Sequence, residues 1–292
     1  MAAAAAYAAE RRQSRRALRK KLLVYAGLCV YAVVAGLPVY WMFITAFKPN
    51  PDLYNLKAFP LFFNEHGVTL EHVALLFNKT GFTTWAGNTL IVAVAVVLIT
   101  LLFAVPAGYA LARLRFRGAE SLTIGIFMTY LVPTTLLFLP LVKIISTIGL
   151  FDKLGSLIVA YPTFTIPFCT WLMAGFFKTV PFEIEEAAMV DGCSRLGAIA
   201  RVVLPLSLTG MFTVAIFAFT LSMQDFIYAL TFVTSSDQKV ITVGVVTELI
   251  RGDVFFWGSL MAGALIAGVP VAILYTFFLD RFVAGITGGA VK

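Results

Sequence analysis

Residues Asn88–Ala112 read NTLIVAVAVVLITLLFAVPAGYALA, without one charged side chain. A helix rising about 1.5 Å per residue crosses a hydrocarbon core of roughly 30 Å in about 20 residues, which this stretch exceeds. Its unbroken apolarity is not the alternation expected of a strand in a membrane barrel. Working outward, five more such stretches appear: Leu22–Phe47, Ser121–Val142, Ser156–Phe177, Leu206–Val233 and Trp257–Leu279. The 292 residues are 60% hydrophobic and 13% charged, whereas soluble domains hold about 45–50% and about 25%. Mean hydropathy is +0.93. The fold class that follows is an all-α integral membrane protein with six transmembrane helices, surrounded by membrane lipid. A soluble enzyme, a nucleic-acid binder and a disulfide-rich secreted domain are excluded.

The net charge of +7 is read as a topology signal, because Lys and Arg collect in cytoplasmic loops. With a cytoplasmic N-terminus, 15 of the 22 basic residues fall inside. They are Arg11, Arg12, Arg15, Arg16, Arg19, Lys20 and Lys21 before the first span, Arg113, Arg115 and Arg117, then Lys178, Arg195 and Arg201, and finally Arg281 and Lys292. Lys48, Lys57, Lys79, Lys143, Lys153, Lys239 and Arg251 fall outside. Both termini are therefore expected in the cytoplasm. The first apolar run is too long for a signal-peptide core and no small-x-small cleavage site follows it, so it is read as an uncleaved helix. The chain then divides into a cytoplasmic segment, 1–21, and a transmembrane domain, 22–292.

Cys29 and Cys169 lie in spans and Cys193 in a cytoplasmic loop, which provides no extracellular disulfide framework. His66 and His72 share the longest outer loop with no cysteine nearby, so no metal site is expected. In that loop Leu70, Val73, Ala74 and Phe77 keep helical spacing behind Thr69, a candidate cap, and predict a short amphipathic helix.

The chain carries no G-x-x-x-x-G-K-[ST] loop, no H-E-x-x-H and no G-x-S-x-G. It is not expected to be an enzyme or to hold a cofactor of its own. Asp225 is the one acid well inside a span, and with Gln224 and Tyr228 it is a candidate lining of a substrate path. The plainer reading is an acid hydrogen-bonded near the end of a bundle helix. Pro38, Pro106, Pro133, Pro140, Pro162, Pro167 and Pro270 all fall in spans and predict kinks. Ala104–Gly108–Ala112 and Ser259–Gly263–Ala267 are small-residue rows suited to close helix packing.

The loop 178–205 is the most ordered of the connections. Pro181 opens a helix whose acids Glu183, Glu185 and Glu186 suit its positive end. Gly192 fits a left-handed terminating position, Ser194 caps a second helix, and Pro205 is expected to end it. Ala187 and Ala188 offer a smooth face on which a partner could dock.

Glu186-Ala187-Ala188, Asp191-Gly192 and Leu204-Pro205 resemble the EAA loop of ABC importer permeases, with Val202 where an isoleucine is usual. Asn88-Thr89-Leu90, Ala110-Leu111-Ala112-Arg113, Gly175-Phe176-Phe177 and the tail Gly285–Lys292 extend the likeness to the shorter, six-span subunit of maltose-type carbohydrate importers. Met223-Gln224-Asp225 departs from the Trp-Asn-Asp common there. The resemblance implies a type I importer permease that moves a sugar or sugar-like solute inward across a bacterial inner membrane. It further implies a second homologous permease, two ATPase subunits that bind ATP and Mg, and an extracytoplasmic solute-binding protein. It assigns Glu185, Glu186, Ala187, Ala188, Asp191, Gly192, Leu204 and Pro205 to ATPase coupling. Within the outer loop Thr234–Phe256 it assigns Val240–Leu249, with Val240, Ile241, Thr242, Val243 and Gly244 at its head, to the face that meets the receptor.

An ion-gradient-driven secondary transporter is the alternative, but it calls for ionisable groups near the midplane and often an internal repeat, neither of which is visible. A membrane-embedded enzyme would need His, Asp or Glu clustered at one depth, and the sequence has no such cluster.

Overall fold

The computed structural model describes the backbone of residues 2–57, 59–114 and 116–290, and the side chains of residues 18–57, 59–114 and 116–277. Arg115 and the side chains of Arg11, Arg12, Arg15, Arg16, Arg281 and the tail Gly285–Lys292 lie outside the described residues. In chain order the helices are α1 (Ala2–Phe47), α2 (Asn50–Leu53), α3 (Glu71–Lys79), α4 (Phe82–Arg113), α5 (Ala119–Tyr130), α6 (Thr134–Thr147), α7 (Leu154–Ala160) and α8 (Pro162–Thr179). After these come α9 (Phe182–Val190), α10 (Arg195–Ala198), a π turn (Ile199–Val203), α11 (Leu204–Leu206), α12 (Leu208–Gln224), α13 (Ile227–Phe232), α14 (Ile241–Leu249) and α15 (Trp257–Ala290). A two-strand antiparallel hairpin, β1 (Ile250–Arg251) with β2 (Val254–Phe255), turns at Gly252 with φ +60°.

Among the described residues four helices are long and apolar enough to span a membrane: Leu18–Phe47, Phe82–Arg113, Leu154–Thr179 and Trp257–Phe277. Two bent pairs raise the number to six if each crosses once. They are Ala119–Tyr130 with Thr134–Thr147, bent by 87°, and Arg195–Leu206 with Leu208–Gln224, bent by 73°. The first bend explains why the expected span Ser121–Val142 is not one straight helix. Pro133 has no N–H to give and stands as the N-cap of α6. The expected span Leu206–Val233 is divided at Asp225 into α12 and α13.

The chain forms two compact units. In the unit Met1–Val73 with Trp257–Leu265, α1 exposes apolar side chains around its whole circumference from Leu22 to Phe43. Such a surface belongs in lipid or against other helices. The loop after α1 is tied down by Lys48, whose Nζ donates to the carbonyls of Phe59 (3.1 Å) and Pro60 (3.0 Å). His66 Nδ1 meets Asp52 Oδ1 at 2.8 Å. Thr69 Oγ1 accepts from Glu71 N, at the first residue of α3, at 3.1 Å. The buried face of α3 differs from the expected one. His72 and Leu76 are buried while Leu70, Ala74 and Phe77 are exposed. The reason is polar anchoring, with His72 Nε2 2.9 Å from the Lys48 carbonyl. Ser259 Oγ donates to the His72 carbonyl at 3.3 Å, and a Cβ on Gly258 would stand 2.3 Å from the imidazole.

In the unit Ala74–Phe256 with Ile266–Lys292, α4 is the central helix, packed along α8 and α12. The small-residue row does what its spacing promised. Ala104 and Gly108 are buried, and a Cβ on Gly108 would stand 2.6 Å from Met173 Cβ. Thr100 and Thr165 share a buried hydrogen bond of 2.7 Å between α4 and α8.

Candidate functional site

The loop 178–205 folds as its punctuation implied. Pro181 is the N-cap residue of α9, in extended backbone. At the other end Gly192 N donates to the Met189 carbonyl (3.1 Å) and Cys193 N to the Ala188 carbonyl (3.0 Å), with Gly192 at φ +92°. That pairing is a Schellman termination, which satisfies the last carbonyls and needs a left-handed residue. Ser194 Oγ then accepts from Gly197 N at 3.2 Å and starts α10. Pro205 does not end the second helix, as the sequence suggested. The chain makes a π turn over Ile199–Val203, which widens the helix ahead of the proline ring, and breaks at Ser207.

The loop presents two opposed faces. Glu186, Ala187, Asp191 and Gly192 are exposed, with Ala188 half-buried. Beside them Ile184, Val190 and Leu196 project into the open, the last two at 86% and 78% exposure. Pro205 is also exposed, whereas Leu204 packs against the core cluster that holds Val203 and Phe177. Glu185, grouped with these residues from the sequence, points the other way and is 1% exposed. Its Oε1 accepts from Tyr109 Oη on α4. Its Oε2 lies 3.8 Å from Arg113 Nε, and neither of these two atoms has a hydrogen-bond partner. Arg113 is itself buried. It donates through Nη2 to the Val180 carbonyl and lies 5.5 Å over the Phe182 ring. Tyr109 is held edge-on to Phe177 with centroids 5.8 Å apart. The last turn of α4 thus holds α9 in place.

At the other end, α4 holds a second segment. Trp85 Nε1 donates to the Ser236 carbonyl (2.8 Å), and Asn88 Nδ2 donates to the carbonyls of Asp237 (2.8 Å) and Lys239 (2.9 Å). Thr89 Oγ1 accepts from Ile241 N at 2.9 Å. Gly244 lets α14 lie on the indole, since a Cβ there would stand 2.2 Å from Trp85 Cδ2. Of the residues singled out in this segment, Val240, Val243 and Gly244 are therefore buried, and Ile241 and Thr242 are half-buried. The exposed residues are Thr234–Asp237, Val246 and the hairpin Arg251–Phe255. Asp152, at φ +59°, clasps the start of the segment by accepting from Thr234 N and Ser235 N, both at 2.8 Å, and from Ser235 Oγ. These bonds, the Ser235 hydroxyl first, hold its carboxyl down at about 2.

Asp225 stands at the break between α12 and α13. Its Oδ2 accepts from Tyr161 Oη and Ala229 N, both at 3.1 Å, and its carbonyl accepts from Thr242 Oγ1 at 2.9 Å. Tyr228 is fully buried and donates to the Thr134 carbonyl at 2.9 Å, while Gln224 is exposed. An apolar cleft of about 360 Å³ lies nearby, lined by Leu90, Phe219, Met223, Ile266, Pro270 and Leu274 among others. No group of three His, Cys, Asp or Glu among the described residues could hold a metal ion.

Tyr109, Trp85 and the inward role of Arg113 were not singled out from sequence. Tyr109 and Arg113 stand four apart on one face of α4, a spacing that places both side chains over the same turn. That was the available signal.

Comparison with known proteins places the chain among transporter permeases. Residues 104–288 match the family described as "Binding-protein-dependent transport system inner membrane component". The inner membrane ABC transporter permease protein YcjP of Escherichia coli is 32% identical over 92% of this chain and 95% of its own. The trehalose/maltose transport system permease protein MalG of Thermococcus litoralis is 30% identical over 95% and 99%. Among solved structures, a bacterial ABC transporter involved in the import of alginate matches with a TM-score of 0.77 at 18% identity, over 89% of this chain and 95% of that one. This match bears on the fold alone.

Proposed function

The chain belongs to the family of binding-protein-dependent transport system inner membrane components, and on that premise we propose that it is a non-catalytic permease subunit of an ATP-driven importer for a sugar or sugar-like solute. It works beside a second homologous permease. Two ATPase subunits, which bind the ATP and Mg, dock on the cytoplasmic side, and a solute-binding protein docks on the other. The segment 1–21 and both termini are cytoplasmic, and residues 22–292 form the membrane domain with 178–205 as its coupling loop.

The observation that carries this reading is the two-sided build of α9. Its inner face is anchored by Glu185, while Ile184, Ala187 and Val190 stay exposed beside Glu186. An apolar patch on an ordered, anchored helix suits a fixed docking platform. Glu186, Asp191 and the turn at Gly192 edge that platform, and Leu204 and Pro205 close the loop behind it. On the opposite face the exposed Thr234–Asp237 rim and the hairpin, backed by Val240–Gly244, would meet the solute-binding protein. Gln224, Asp225 and Tyr228 lie toward the same end, with Gln224 the exposed member that can face the substrate path. ATP-driven closure below and receptor docking above then favour one permease conformation, which gives alternating access.

The test is co-purification and coupled ATPase activity of the complex in membranes with Glu186→Lys and Gly192→Val. Both should assemble poorly or hydrolyse ATP without transport. Full assembly and native coupling in both would refute the docking role, and uptake that persists without ATP would favour a gradient-driven transporter.

A further inference from the structure

The two segments gripped by α4 are, on the functional reading above, the ATPase platform and the receptor-facing segment. We propose that α4 is the connecting rod between them, with Asn88 and Thr89 at one end and Tyr109 at the other acting as positioning residues for coupling. This rests on that reading and adds a route to it.

Three observations support the assignment. First, the grips are specific. At one end the donors of Asn88 Nδ2 reach two backbone carbonyls, Trp85 reaches a third, and Thr89 accepts the Ile241 amide. These bonds fix the path of residues 236–241 by its backbone, whatever side chains the segment displays. At the other end Tyr109 and Arg113 hold Glu185, the Val180 carbonyl and the Phe182 ring. Second, one uninterrupted helix joins them, and at about 1.5 Å per residue Asn88 and Tyr109 are roughly 30 Å apart. Third, the point at which the rod could flex is splinted. Pro106 removes a hydrogen bond within α4. On one side of it Thr100 is bonded to Thr165, and on the other Gly108 sits against Met173, so α8 braces both halves. A displacement of α9 is therefore passed to the segment 236–244 with little room to dissipate. Buried polar grips and close packing offer discrete arrangements rather than slack.

The experiment uses the complex purified with its ATPase subunits and with Cys29 and Cys193 replaced by serine. A bimane fluorophore is placed on Ser236→Cys, beside the Trp85 indole that binds the Ser236 carbonyl. Mg-ATP with vanadate is added and the fluorescence change is read. Asn88→Asp removes the donors at nearly constant shape, and Tyr109→Phe removes only the hydroxyl while keeping the ring on Phe177. Each should assemble and hold the response to about a tenth of native, a loss within the range of ordinary site-to-site coupling. If Asn88→Asp does not assemble, Thr89→Val replaces it. The double variant is decisive. Sites this far apart normally act independently, so independent losses would multiply to about a hundredth. Residues on one line leave the double near a tenth. A native-sized response in either single variant, multiplying losses in the double, or a label silent to ATP in the native complex would overturn the proposal. Failure of the functional reading is distinct from these, because no ATPase subunit would then co-purify at all.

Discussion

Glu185 and Glu186 are neighbours in one helix, and the structure gives them opposite tasks, so their replacements should part company. Glu185 lies 3.8 Å from Arg113 with both side chains buried. At that separation and an effective dielectric near 20, unlike charges attract by about 4 kcal/mol. Glu185→Ala leaves the Arg113 guanidinium buried with the Val180 carbonyl and the Phe182 face as its remaining contacts. Breaking a buried pair in this way costs about 3–5 kcal/mol, and the orphaned Tyr109 hydroxyl adds about 1–3 kcal/mol. The cost falls on the seating of α9 against α4. Amide hydrogen exchange across Phe182–Val190 should quicken by about 10³-fold at the low end of these costs and up to about 10⁶-fold at the high end, while exchange in the middle of α4 stays as it was. Glu186→Ala touches an exposed side chain and should change exchange little, within about 0.5 kcal/mol, yet it should weaken ATPase docking. Replacing both members with apolar groups, Arg113→Met with Glu185→Leu, should restore more than half the lost protection, because no buried charge is then left alone. Equal exchange in the Glu185→Ala and Glu186→Ala proteins would refute the two-faced reading of the helix.

Gly192→Ala should lower the melting temperature of the complex through backbone strain alone. No atom lies within 4 Å of a Cβ there, but φ is +92°, and the cost is about 1–2 kcal/mol; Gly192→Asn should cost less, since asparagine tolerates that region. Gly244→Ala fails for the opposite reason. Its Cβ would stand 2.2 Å from Trp85 Cδ2, and overpacking of this kind costs about 1–3 kcal/mol, readable as a lower melting temperature. Asp152 gives a pH signature. Its carboxyl is depressed to about 2, below the ordinary 3.8, so its clasp is intact above the ordinary value and is lost as pH falls from there toward about 2. The amide shifts of Thr234 and Ser235 should be constant through neutral and mildly acidic pH and move as pH falls through about 2, and in Asp152→Asn they should take new values that no longer titrate.

Much of this was legible because the deciding signals were local. The apolar run Asn88–Ala112 falls within α4, bounds and all but a few residues. Pro181, Gly192 and Ser194 each dictate one backbone geometry, and the loop takes all three. Pro133 and Pro205 were legible as interruptions but not as shapes. A missing N–H says where a helix is weakened, whereas the 87° bend at one and the π turn before the other depend on what packs alongside.

What the sequence hid was direction. Three glutamates in the first turns of α9 all suit a positive helix end, and nothing local says which one turns inward. That is set by Tyr109 and Arg113, some seventy residues earlier, and in a helix as apolar as α4 those two read as a span-end aromatic and a topology charge. The same holds for Val240–Gly244, whose apolar side chains suit a receptor cleft and a tryptophan face equally well. In this structure the segment lies on Trp85, whose Nε1 donates to the Ser236 carbonyl 151 residues on. Asp225 shows the third form of the problem. An acid in an apolar run reads as a functional charge because a continuous helix would leave it unsatisfied. Here the helix breaks at Asp225, and Ala229 N and Tyr161 Oη supply what the lipid could not. A half-buried acid bonded in this way at a helix break has a structural role whether or not it also meets the solute. Asp225→Asn, which keeps an acceptor for both donors, should therefore leave the α12–α13 break in place and lower transport only to the extent that the charge itself meets the solute. Unchanged uptake with unchanged melting temperature would assign Asp225 to the fold and leave the path to Gln224.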